Sequence, residues 1–357
     1  MVSKIKVDEI ESSQSGGSIA YNSSMKLKQL TETQIDALSG MGEGEMLYDT
    51  TNKNIRVYNG TTSEWEIVNP VTSKSVTGGN ITTSGSYTIH TFNSSDNFAV
   101  TGFPGGSPLA VEYLVIAGGG GGGDGNLIAG AGAGGYRSNV AGQSSGGGAS
   151  AESALNVTTG NYSITVGAGG AGGSGDIGGT SQDGSDSIFS SITSVGGGTQ
   201  QANGGSGGGG SGGDGSSNAA GSGTTNQGYA GGVGSGTNGL ADNGAGGGGG
   251  AGGTGGIGGQ PAGGTFGRGG VGGAGVSSNI TGTNVTRASG GAGGNHASTS
   301  TGTTTAATTG GGGAGGYTST GGTANTGGGA GSGRNQQDNL QGGSGVVIIR
   351  YLTSALS

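Results

Sequence analysis

The chain has 357 residues, 99 of them glycine, with only 28% hydrophobic and 4% aromatic, so a conventional side-chain core cannot occupy most of its length. Its formal charge of −8, from 20 acidic and 12 basic residues without a basic cluster, argues against a nucleic-acid partner. With no cysteine there is neither a disulfide framework nor a thiolate metal site, and the longest apolar runs, around LVIA and VVII, are too short for membrane insertion.

After Met1-Val2-Ser3-Lys4 comes an alternating polar segment rather than an apolar run, so no secretory signal is expected. A composition break falls near residue 70: residues 1–70 hold 16 of the 32 charged residues and only 6 glycines. Two kinds of structure are therefore expected, mainly β, with almost no α-helix and a glycine-rich body.

Residues 1–43 read as an attachment and oligomerisation segment. Ile5, Val7, Ile19 and Tyr21 alternate with polar neighbours as short strands that need a partner chain to bury them. LTETQIDALSG at 30–40 predicts a short helix, with Thr31 and Gln34 as a capping box, Leu30 and Ile35 as a hydrophobic staple, and Gly40 as its end. Residues 44–74 predict a small β-meander with Leu47, Ile55, Val57, Trp65 and Ile67 inward and DTTNKN and NGTTSE as turns.

Residues 75–117 are β-rich: SYTIHTFNSSDNFAVTG offers two strands around an NSSDN turn, and VEYLVIA a buried strand. LNVTTGNYSITVG at 155–167 predicts a hairpin. Residues 345–357 close the chain with GVVIIRY, matched in character to VEYLVIA, so the two are expected to share a sheet that brackets the glycine-rich domain at 118–344.

Within that domain Gly244–Gln260 sets the pattern. Ala245, Ala251, Thr254, Ile257 and Gln260 recur every three residues, and the missing member, position 248, is itself glycine. That period belongs to neither strand nor α-helix but to the polyproline-II helix, which has three residues per turn and no internal hydrogen bonds. Two glycines per turn let such helices approach and pair their backbones, giving a polyglycine-II bundle. Arg268, Val271 and Ala274, and Ser289, Ala292 and Asn295, repeat the register. Read as one helix, the 17 residues would span about 50 Å. Only 4 prolines argue against a collagen triple helix.

Two resemblances follow. GEMLYDTTNKNIRVYNGTTSEWEIV, with Tyr58-Asn59-Gly60 and Trp65, is similar to modules of bacteriophage tail fibres and other virion appendages, which implies an attachment role and trimeric association. YTIHTF, FAVTG, EYLVIAGGGGGG, GAGGYRS, NYSITVGAGGAGG and GGSGVVIIRY, in that order over about residues 84–351, resemble the glycine-rich domain of phage tail-fibre and adhesin sequences. Its relatives among tail-tip adhesins of T-even-like phages imply a sandwich of polyglycine-II helices with variable loops at the tip. This chain departs from them in its strand-rich flanks and its N-terminal module.

Several motifs are imitated rather than present. EYLVIAGGGGGG has the outline of a dinucleotide-binding turn, but the glycines lead into no helical pattern and no acid falls at residues 140–151 before Glu152; no GK[ST] follows any glycine run. GGGGGD at 119–124 and GGSGGD at 209–214 start like a calcium-binding nonapeptide but carry Asn126 and Ser216 at its apolar position. His90 reads as a satisfied sheet residue and His296 as surface. No acid, base and nucleophile group together, so neither an enzyme nor a cofactor nor a metal site is expected.

Recognition is expected to fall on aromatics and arginines in so side-chain-poor a body: Tyr136, Arg137, Tyr229, Phe266, Arg268, Arg287, Tyr317 and Arg334. Tyr136, Phe266 and Tyr317 have local packing over glycine faces as their alternative role. The expected protein is a virion appendage subunit, extracellular after release. It would bind other virion proteins through its N-terminal region and a host surface receptor through its loops. The alternative is a purely structural fibre, collar or capsid-decorating protein; a free ice-binding protein would need regular Thr or Ala ranks, which Arg268, Gln260 and Asn295 interrupt.

Overall fold

A computed structural model describes residues 27–68, 73–103, 108–123, 128–173, 181–213, 219–236, 243–259, 267–295, 305–306, 308–333 and 339–356. The expected strands at Ile5, Val7, Ile19 and Tyr21, and Asn126, Ser216, Gln260, Phe266, His296 and Arg334, lie outside these residues. The chain divides into two compact units, Met1–Thr72 and Ser73–Ser357.

In the first unit, strands β1 (Lys28–Leu30), β2 (Met46–Asp49), β3 (Asn54–Asn59) and β4 (Glu64–Val68) form one sheet in that order, β1 parallel to β2 and the rest antiparallel. Helix α1 (Glu32–Asp36) starts where the sequence places it: Gln34 Oε1 accepts the Thr31 backbone N–H at 2.9 Å, and Ile35 is buried. It ends at Ala37, three residues short of Gly40.

The meander forms, but its inward set is split. Leu47 lies opposite Arg56, which lies opposite Ile67, so Ile55 and Val57 occupy the other face. Leu47 is fully buried and Ile67 is 44% exposed. The four-residue turn after Asp49 sets this register. Its anchor is the Asp49 carboxylate, which accepts the N–H groups of Thr51 and Asn52, the Asn52 amide and Arg56 Nη2.

The second unit contains two antiparallel sheets. The first runs, in spatial order, β10 (Tyr136–Ser138), β9 (Leu109–Ile116), β17 (Val346–Leu352), β7 (Tyr87–Phe92) and β6 (Asn80–Ser84), with β11 (Leu155–Val157) also on β9. The second runs β14 (Ile192–Ser194), β13 (Ser187–Phe189), β12 (Gly160–Thr165), β8 (Asp96–Thr101) and β5 (Ser75–Thr77). A separate hairpin pairs β15 (Val276–Ser278) with β16 (Val285–Arg287).

Between the two sheets lies the aromatic core, where Phe98 meets Phe92 and Phe189 edge to face and Tyr113, Val115, Val347 and Tyr351 close the layer. The opposite face of the first sheet is covered too: Ile89, Leu114, Ile116 and Ile348 pack with Ala133, Ala251, Ile280 and Ala288. Burial on both faces is the physical reason VEYLVIA and GVVIIRY are continuous apolar runs rather than alternating ones. They pair directly, Val347 against Val115 and Ile349 against Tyr113.

One connection differs from the expected one. Residues 155–167 form no hairpin: β11 pairs with β9, whereas β12 pairs with β8 and β13, so the intervening turn carries the chain from one sheet to the other. The two strands expected around the NSSDN turn do form, as β7 and β8, and that turn also carries the chain from the first sheet to the second.

Among the described residues the long glycine runs carry neither strand nor α-helix, yet their backbone is paired in a three-residue rhythm. Ala245, Gly248 and Ala251 donate to the carbonyls of Gly294, Gly291 and Ala288; Gly246 and Gly249 to Gly210 and Gly207; Gly247 and Gly250 to Gly256 and Gly253. The same run accepts from three further segments, through Gly270 and Gly273, Gly130 and Ala133, and Gly232 and Tyr229. Segment 130–135 repeats this, its donors going in turn to Gly246 and Gly249, to Ala330 and Gly327, and to Gly198 and Val195.

A single 17-residue helix is not formed. The chain bends at Ala251–Gly253 and returns antiparallel, so Gly253 and Gly256 become neighbours of Gly250 and Gly247. The glycine at 248 is also accounted for: a Cβ there would overlap the carbonyl oxygen of Ala131.

Candidate functional site

The site is built where both sheets of the second unit end. The edge of β9 is shared, residues Leu114–Ile116 by β10 and Leu109–Val111 by β11. Asn139 bridges the interruption with its side chain, Oδ1 accepting the Tyr113 N–H at 2.6 Å and Nδ2 donating to the Val111 carbonyl at 3.0 Å. It thereby replaces the missing strand contact and turns the chain away from the sheet.

This arrangement leaves Arg137 and Glu152 facing each other. Arg137 Nε donates to Glu152 Oε1 at 2.8 Å and Nη2 to Oε2 at 2.7 Å, while the Tyr113 hydroxyl donates to Oε2 at 2.8 Å. Arg137 Nη1 reaches across to the Thr193 carbonyl of β14 at 3.2 Å. Gln227 covers the same edge, its Oε1 accepting the Val195 N–H at 2.8 Å. Together the two side chains occupy an edge that would otherwise invite pairing with another strand. Hydrogen bonding to Glu152 holds the Arg137 guanidinium above its ordinary value, and burial, followed by the Glu152 contact, pushes the Tyr113 hydroxyl up.

Around this cluster opens a groove of about 700 Å³. Its walls carry Ser150, Ser153, Ser191, Thr225 and Asn226, with Ile192 and Leu155 as the apolar part. A smaller groove of about 420 Å³ lies across Glu152 and Ala154. Its cation, Arg350, is occupied: it bonds Glu112 Oε2 at 2.6 Å and the Asn279 and Ile280 carbonyls, and lies 4.3 Å from the Tyr87 ring centre.

The residues singled out from sequence do not converge. Tyr136 is fully buried in the layer behind the first sheet, and burial pushes its hydroxyl up to about 12. Arg287 is half-buried nearby, and burial pulls its guanidinium down. Tyr229 and Tyr317 are half-buried on separate segments and Arg268 is exposed; of the six described, only Arg137 lines the groove. His90 is a satisfied core residue, Nδ1 donating to the Gly78 carbonyl at 2.7 Å and Nε2 accepting from Tyr351, and its pKa is lowered by burial despite the Gly78 bond.

Sequence reasoning passed over Tyr113, Glu152 and the hydroxyl-bearing walls. A signal existed: Arg137 is the only basic residue between Lys74 and Arg268, and Glu152 the only acid between Asp124 and Asp176. Isolated opposite charges in an almost uncharged body imply a mutual pairing, which a search for aromatic and arginine anchors overlooks.

Elsewhere, Val233, Ile257 and Val271 stand exposed on three adjacent glycine-rich segments, joined at one level by the Gly258 N–H to the Val233 carbonyl and the Gly256 N–H to the Val271 carbonyl. Beyond β9 the described glycines, 118–123, carry no helix; Gly119 and Gly122 donate instead to the carbonyls of Gly343 and Leu340. Among the described residues no three His, Cys, Asp or Glu groups gather to hold a metal.

No curated protein matches the chain. Residues 93–352, well over half of it and covering β8 to β17 with the glycine-rich segments between them, match a family described as a glycine-rich domain. The continuous apolar strands at either end, the glycine segments paired between them and this match agree: the chain belongs to the glycine-rich domain family.

Proposed function

We propose that this protein is a bacteriophage virion appendage subunit, a tail fibre component, whose glycine-rich body is a polyglycine-II bundle presenting its loops to a host surface receptor. The observation that carries this reading is the hydrogen bonding of Ala245–Ala251, where every third residue addresses the same neighbour and six segments surround one. A backbone held in three directions at once makes a stiff scaffold without a large side-chain core, and stiffness is what a loop-presenting adhesin needs. Binding here proceeds by rigid presentation, with no bond made or broken.

The first unit, by its resemblance to fibre modules, is assigned the attachment role, with self-association as a homotrimer and contacts to other virion proteins. Its test is direct. Purified protein is expected to bind host cells and to block infection; a protein that does neither, while a loop-deleted version still assembles into virions, rules out the adhesin role.

A structural fibre, collar or capsid-decorating role is the second reading, and specific observations favour it. The exposed rank of Val233, Ile257 and Val271 is the kind of apolar surface that packs against a neighbouring subunit, while Tyr136 and Arg137 are taken up in internal contacts. Electron cryomicroscopy of the particle separates the two, a distal tip fitting the adhesin and a continuous shaft or capsid site the structural protein.

A further inference from the structure

The groove beside Arg137 has three properties that together specify a ligand. First, its charges cancel internally: guanidinium and carboxylate are joined through two parallel hydrogen bonds, so neither is left to attract an ion of its own. Second, the pair is not saturated. Arg137 uses three of five N–H donors and Glu152 accepts three bonds where a carboxylate has about four lone-pair positions. Third, the side chains of Ser150, Ser153, Ser191, Thr225 and Asn226, all exposed, have no hydrogen-bond partner among the described residues.

A wall of uncommitted hydroxyl and amide groups around a self-neutralised ion pair suits a molecule that is uncharged and dense in hydroxyls. Ile192 and Leu155 supply apolar surface for the C–H faces of such a molecule. The cavity, about 700 Å³, falls in the usual range of about 300–1,000 Å³ for small-ligand sites. Its floor is held by both sheets, through Arg137 to Thr193 and Asn139 to Val111, so little ordering is needed on binding.

We propose that the groove between β10, β11 and β14 binds a neutral oligosaccharide, with Glu152 and Arg137 on its floor and the Ser150, Ser153, Ser191, Thr225 and Asn226 side chains as its hydrogen-bonding rim. This names the receptor chemistry of the adhesin reading and rests on that reading for its biological setting, although the binding itself is measurable without it. Among the described residues no free aromatic face lines the groove, so affinity for a short saccharide is expected to be weak, about millimolar.

The test is titration of the full chain with neutral trisaccharides of glucose, mannose, galactose and N-acetylglucosamine, and with a sialylated trisaccharide, followed by saturation-transfer NMR and calorimetry. At least one neutral trisaccharide is expected to bind, and the sialylated one to bind more weakly. The double variant Ser153→Ala, Asn226→Gly alters only exposed groups, and Asn226 has a φ of +61°, which glycine accepts, so folding is preserved. It is expected to weaken binding about tenfold with an unchanged thermal midpoint.

The proposal is overturned if no neutral trisaccharide binds, if the sialylated one binds more tightly, or if the variant binds like the parent. Adsorption to host cells is measured in parallel. Adsorption without saccharide binding removes the groove ligand alone, whereas loss of both removes the adhesin reading as well.

Discussion

Gly248 shows how a single position is constrained by backbone rather than by side-chain packing. Its flanking series members Ala245 and Ala251 carry methyl groups in fully buried places, but at 248 the Ala131 carbonyl oxygen occupies that volume. Gly248→Ala must displace a hydrogen-bonded segment and is expected to cost about 3 kcal/mol in denaturant unfolding, by overpacking and loss of backbone bonds. Gly259→Ala has open space and is expected to stay within about 0.5 kcal/mol of the parent. The three-residue period was legible in sequence because it needs only the chain's own spacing. Why 248 breaks the series was not, because the answer lies on a segment more than a hundred residues away.

At the same scale, burial pushes the Asp49 carboxyl up, but hydrogen bonds from Asn52, Thr51 and Arg56 outweigh it and bring the pKa down to about 2. A carboxyl lowered in the folded state stabilises above its unfolded pKa of about 4, and that contribution disappears as pH falls towards 2. The first unit is therefore expected to lose stability through that window, and Asp49→Asn to flatten the loss, as followed by circular dichroism on residues 1–72. An unchanged acid profile in the variant would show that Asp49 does not set it.

Among the elements, β17 holds the second unit together. It lies between β9 and β7 in the centre of the first sheet and buries Val346, Val347, Ile348, Ile349 and Tyr351. At about 1.5–3 kcal/mol for each such side chain, these approach a typical domain stability of about 5–15 kcal/mol. Truncation after Gly345 is expected to abolish the cooperative thermal transition of residues 73–345 and open them to limited proteolysis; a truncated chain that melts like the parent would contradict this placement. The pairing of β9 with β17 was legible because matched apolar runs stand out against a glycine-rich background. The fate of residues 155–167 was not: two strands on a short turn read as a hairpin, and only the edge of β9, left open by β10, draws β11 away. The first unit's meander shows the same limit, since turn length, which shifts every side chain between faces, is a weaker signal than alternation.

The whole molecule joins two ways of excluding water. Aromatic and aliphatic side chains close the space between the sheets, and beyond them backbone pairs with backbone, leaving alanines as the largest groups at many crossings. Composition made the second mode legible, since so glycine-rich a chain has little else to bury. The groove was hidden because its parts come from β9, β10, the 149–155 segment, β14 and the 225–227 turn, and only folding assembles them. What the proposed function requires above all is that the glycine-rich body be rigid. Amide hydrogen exchange measures this directly on residues 244–251 and 130–135, whose N–H groups are all donated to neighbouring segments. A hydrogen-bonded bundle requires protection approaching that of β9 and β17, persisting for hours. Exchange of these glycines within seconds, as in an open chain, would contradict it.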